Sequence, residues 1–64
     1  MMSDETRQEY RTLSETEKKE MQQIKNFGNQ MIEAIKAQGV SRELSLAITK
    51  IEEGVMWAVK HITR

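Results

Sequence analysis

SRELSLAITKIEEGVMWAVKHITR, residues 41–64, places apolar side chains at Leu44, Ile48, Ile51, Val55, Ala58 or Val59, and Ile62. Steps of four and three along a chain put those positions on one stripe of an α-helix, the seam by which a helix lies along another helix. At about 100° per residue, Leu46 and the sole Trp, Trp57, fall on roughly the opposite side. This helix therefore has two apolar faces, of which one hairpin partner can cover one.

The upstream half supplies that partner. Ser14 followed by Glu17 has the spacing of a capping box, in which the Ser14 side chain accepts from the Glu17 amide while Glu17 accepts from the Ser14 amide. Glu15 and Glu17 also suit the positive end of the helix dipole. A helix is expected over 15–38, with apolar residues at Met21, Ile24, Phe27 or Gly28, Met31, Ile32 and Ile35. Glu15 and Lys19 form an expected i,i+4 pair. Gly39 suits a left-handed C-cap with Val40 as its hydrophobic follower, and Ser41 suits the next N-cap, with Glu43 in the first turn of a helix over 42–63. A connection of about two to four residues between two long helices makes an antiparallel hairpin.

The expected fold is all-α: an arm or short helix over 1–13, then the two-helix hairpin, the whole of 1–64 forming one domain. No alternating strand pattern, repeat, low-complexity segment or flexible linker marks a second one. With 64 residues, 38% of them apolar and 31% charged, the core must be thin. No cysteine can staple it and no Cys/His pattern can hold a structural metal. Association is the remaining source of stability, and a homo-oligomer is expected.

Composition also narrows the function. Ten Lys+Arg balance ten Asp+Glu, which argues against a general DNA or RNA binder, since such proteins draw most of their affinity from a basic surface. A small anion held by a few local cations is compatible with that balance. Absence of Cys fits a reducing compartment. There is no apolar run of membrane-spanning length, and the polar start MMSDETRQEY lacks the basic-then-apolar order of a leader, so neither membrane insertion nor secretion is expected.

The catalytic inventory is poor. His61 lies in the last helical turn, where the dipole favours a cation, and reads as a surface or interface residue rather than a general base or ligand. Glu52 and Glu53 are adjacent, so on a helix they diverge by about 100° and cannot address one proton. Met31 and Met56 read as core or interface filler. No catalytic residue, metal site or cofactor is expected.

Four features remain for ligand chemistry. Tyr10 sits on a polar segment with no intrachain core to join, so it either packs on a neighbouring subunit or presents its ring to a planar ligand. Lys25, alone, reads as a solvated lysine. Asn26-Phe27-Gly28-Asn29 is a weak patch in its helix, because Gly costs about 1 kcal/mol relative to Ala in a helix interior. Gly28 there serves a close helix crossing, room for a ligand, or both. A cyclic nucleotide needs a ring to stack on each base, a cation for each phosphodiester and walls that exclude water. Tyr10, Lys25 and the basic groups Arg11, Arg42 and Arg64 could supply the first two, duplicated in a symmetric oligomer.

The segments RTLSETEK, IKNFGNQMIEAI and SRELSLAITKIEEGVMWAVKHIT closely resemble the hairpin domain shared by phage anti-CBASS and anti-Thoeris sponge proteins. The S-R-E…T-K-x-E-E…M-W-A run is the most specific part, and the likeness covers residues 7–64. Since the sequence ends at Arg64, without the strand-containing region that follows the hairpin in anti-Thoeris members, the resemblance is to the hairpin-only anti-CBASS kind. It implies a non-enzymatic sponge that binds cyclic oligonucleotide second messengers without cleaving them, in the cytoplasm of the infected bacterium, so that CBASS effectors stay inactive. It also implies a compact homohexamer with cyclic dinucleotides such as 3′,3′-cyclic GMP-AMP between subunits, and cyclic trinucleotides in separate threefold pockets of some members. By this resemblance Tyr10 stacks on the base and Lys25 meets the phosphates. Arg11, Phe27, Gly28 and Arg64 are the further expected contacts, with Phe27 standing where a trinucleotide-binding relative has threonine. A purely structural oligomerisation hairpin with a protein partner is the alternative that the apolar seam alone supports.

Overall fold

The structure, a computed structural model, describes residues 12–64, which contain two α-helices and no strand. Helix α1 is Glu15–Lys36 and helix α2 is Arg42–Thr63. They pack as an antiparallel hairpin. The expected arm over 1–11, with Tyr10 and Arg11, lies outside the described residues.

Local chemistry sets the ends. The Ser14 N–H donates to Glu17 Oε1 at 2.9 Å and the Glu17 N–H donates to Ser14 Oγ at 3.1 Å, completing the capping box. At α2 the Leu44 N–H donates to Ser41 Oγ at 3.1 Å. Ser14→Ala removes the hydroxyl that accepts from the Glu17 amide and keeps the backbone N–H that donates to the Glu17 carboxylate. It is expected to lower unfolding free energy by about 1 kcal/mol, against a few tenths for Ser14→Thr, as read by urea denaturation.

Helix α1 ends at Lys36, two residues before the expected boundary, because the chain tightens there. The Gln38 and Gly39 amides donate to the carbonyls of Ile35 and Lys36, three residues back. Gly39 then takes φ 124°, a conformation that side-chain-bearing residues rarely adopt. Val40 does not fold back as a hydrophobic follower. It projects from the tip, 99% exposed. The expected Glu15–Lys19 pair is replaced by Glu15–Lys18, one residue closer, at 3.4 Å.

The seam between the helices follows the four-three spacing. Met21, Ile24, Gly28, Ile32 and Ile35 of α1 face Leu44, Ile48, Ile51, Val55, Val59 and Ile62 of α2, and all but Gly28 are only half-buried. No apolar side chain in the described hairpin is fully buried. Two helices side by side make a single layer, and a layer needs something packed on it before its side chains leave water. Among the described residues, no helix is long and apolar enough to cross a membrane.

Candidate functional site

Of the two alternatives left open for Gly28, the close helix crossing is the one realised. Gly28 is the one buried residue of the hairpin. A β-carbon built on it would lie 2.6 Å from Val55 Cγ2 and 3.9 Å from Ile51 Cγ2, so α2 packs directly on its bare backbone. Beside that crossing the surface opens into a groove of about 280 Å³, lined by Lys25, Gly28, Asn29 and Ile32 from α1 and by Glu52 and Val55 from α2.

Helix geometry explains this lining. Taking Gly28 as the seam, Lys25 and Asn29 stand about 60° and 100° round one side of α1. Glu52, one turn before Val55, stands on the same side of α2. The floor is aliphatic and the rim polar. Lys18, Lys36 and Lys50 form ion pairs with glutamates three residues away, and Gln22 donates to Asn26 at 3.0 Å. Among the described residues, the side chains of Lys25, Asn29 and Glu52 are engaged by no hydrogen bond or ion pair. The groove thus offers a cation, an amide and a carboxylate that the hairpin itself does not use.

Phe27 lies about 100° round the other side of α1 from Gly28, on a broader surface with Gln23, Asn26 and Gln30. It is 57% exposed. Lys25 and Gly28 therefore share a site that Phe27 does not enter. Arg64 caps the far end of α2, nine residues beyond Val55 and about 13 Å of helix rise from it, so one hairpin does not bring it to the groove. Tyr10 and Arg11 lie outside the described residues.

Glu52 is the groove residue that sequence reasoning passed over. Its relation to Glu53 is indeed divergent, but its neighbours in space come from the other helix. The register set by Gly28 against Val55 was the signal that could have found it. Trp57 stands away from the seam, 56% exposed, with Lys60 Nζ 5.1 Å from its ring centroid. No cluster of three or more His, Asp or Glu among the described residues could hold a metal.

Compared with known proteins, the chain matches the family described as "Acb2/Tad1, hairpin domain" over residues 2–63. No curated protein and no solved structure matched it in the corresponding searches. The family match takes in α1, the turn and α2 as far as the last helical residue, including the Gly28–Val55 crossing and every residue of the groove beside it. The chain belongs to the Acb2/Tad1 hairpin-domain family, the hairpins of the anti-CBASS and anti-Thoeris sponges.

Proposed function

We propose that this chain is a phage anti-defence sponge of the anti-CBASS kind. In this reading it binds cyclic oligonucleotide second messengers, cyclic dinucleotides such as 3′,3′-cyclic GMP-AMP foremost, and withholds them uncleaved from CBASS effectors in the host cytoplasm. Family membership over residues 2–63 carries the reading and is consistent with a sponge role. The uncommitted Lys25 ammonium above an aliphatic floor supports it, since a phosphodiester and a base edge need those two surfaces together.

A groove of about 280 Å³ lies below the roughly 300–1,000 Å³ of pockets that enclose ligands of drug size. The groove is an open one near the small end of that range, and a second copy packed over it would enclose a cyclic dinucleotide more fully. We take the working form to be a homo-oligomer, a hexamer by family resemblance, in which a second copy closes the groove and Tyr10 stacks on the base. Arg11 and Arg64 are further candidates for phosphate contact across subunits. Phe27, on the other flank, belongs to any separate trinucleotide site rather than to the dinucleotide groove.

Calorimetry with 3′,3′-cyclic GMP-AMP tests the reading. Tight binding is expected, weakened about tenfold to a hundredfold in Lys25→Ala through the lost charge-assisted contacts, and comparably in Tyr10→Ala through lost stacking. The ligand should be recovered intact after denaturing the protein. A folded oligomer that binds no cyclic di- or trinucleotide would leave the structural oligomerisation hairpin, which the exposed Phe27 and Trp57 also favour. Recovery of cleaved ligand would rule out a sponge.

A further inference from the structure

We propose that Glu52 is the base-reading residue of the Lys25 groove and makes it prefer guanine over adenine. The inference rests on the cyclic-dinucleotide reading above and deepens it.

The observation is a carboxylate on the rim of a groove in which, among the described residues, Lys25 is the one cation, with the two on facing helices and not paired to each other. A carboxylate there repels a phosphodiester, so a ligand with its phosphate at Lys25 must turn some other part toward Glu52. An ionised carboxylate only accepts hydrogen bonds, through two oxygens side by side. Guanine presents a matching pair of parallel donors, N1–H and the 2-amino group. Adenine presents an acceptor, N1, beside its 6-amino donor, which sets a lone pair against a negative oxygen. The difference between a bidentate charge-assisted contact and a repulsive one decides between the two bases.

The rest of the lining fits a base. Ile32 and Val55, on either side of the Gly28 crossing, give a flat ring an aliphatic surface. Asn29, an amide, donates and accepts and so tolerates either base. Among the described residues, Glu52 is therefore the one group of the groove that discriminates between bases by charge. Since Glu52 is exposed and engaged by none of them through a hydrogen bond or ion pair, replacing it leaves the hairpin's own interactions in place.

Calorimetry of the full chain with cyclic di-GMP, cyclic di-AMP and 3′,3′-cyclic GMP-AMP tests this, with circular dichroism and sedimentation as controls on fold and mass. Wild type should bind cyclic di-GMP about tenfold or more tighter than cyclic di-AMP, an effect of the size that a mismatched base contact carries. Glu52→Gln should erase that ratio by losing di-GMP affinity while holding or gaining di-AMP affinity, whereas Lys25→Ala should weaken all three ligands together. An unchanged ratio in Glu52→Gln, or a wild-type preference for cyclic di-AMP, overturns the assignment and leaves the sponge reading standing. Failure of all three ligands to bind the wild-type protein overturns the dinucleotide reading and the Glu52 assignment with it.

Discussion

Gly28→Val is expected to abolish the hairpin under conditions where the wild type is folded. Even a single added β-carbon meets Val55 Cγ2 at 2.6 Å, closer than carbon atoms approach in folded proteins. Val55 cannot swing aside cheaply, because a β-branched side chain in a helix is held to essentially one rotamer. Relief must come from separating the helices, and that separation opens the seam on both sides of the crossing. Removing a glycine from a helix interior gains about 1 kcal/mol for Ala and less for Val. Overpacking costs about 1–3 kcal/mol and more where no neighbour yields, while a core this small supplies no more than about 3–5 kcal/mol in total. Gly28→Ala should therefore be destabilised but measurable by urea unfolding, and Gly28→Val should lose the cooperative transition. Adding Val55→Ala to Gly28→Ala should return part of the loss, so that the double variant is more stable than the sum of the single changes. A Gly28→Val protein that unfolds like the wild type would show that the helices do not cross on Gly28.

That crossing also marks how far the sequence could be read. Caps and seam were legible because they are local: Ser14 and Glu17 find each other within one turn, and the four-three spacing of Ile24, Ile32 and Ile35 is visible before any partner is known. Phe27 or Gly28 as the seam residue was not decidable, since hydrophobicity favours Phe27 and spacing admits both. The facing helix decides it: Gly28 lies four residues from both Ile24 and Ile32, and Val55 occupies the space that a larger side chain would need. The consequence is that Phe27 turns outward. For the same reason Lys25 looked like any solvated lysine, and Glu52 like half of a divergent carboxylate pair, until the hairpin register put them on one groove. Reading each helix alone conceals sites whose members come from both. The roles proposed for Tyr10 and Lys25 rest on the family resemblance, not on spacing.

The second large effect is expected at the outer face of α2, where Leu46→Glu with Trp57→Glu should dissociate the assembly and abolish ligand binding without touching Tyr10 or Lys25. Leu46 and Trp57 are eleven residues apart, three turns, and so lie within about 20° of each other. They are 46% and 56% exposed in the hairpin. Among the described residues, the charged contact that Trp57 makes is with Lys60, a cation–π interaction at an exposed site worth about 0.5–1 kcal/mol. If the hairpin acted alone, even Trp57→Ala would be nearly silent. A Trp enclosed between copies instead costs about 3–5 kcal/mol when truncated, and a buried, unpaired carboxylate costs more. Sedimentation separates these cases: the wild type should run at several times the 7.5 kDa chain mass and the double variant near one. Binding of 3′,3′-cyclic GMP-AMP should fall with the mass if, as proposed, a second copy closes the groove beside Gly28 over the ligand. A wild type that sediments as a stable monomer, or a double variant that keeps its mass, would mean that this face is not what completes the site.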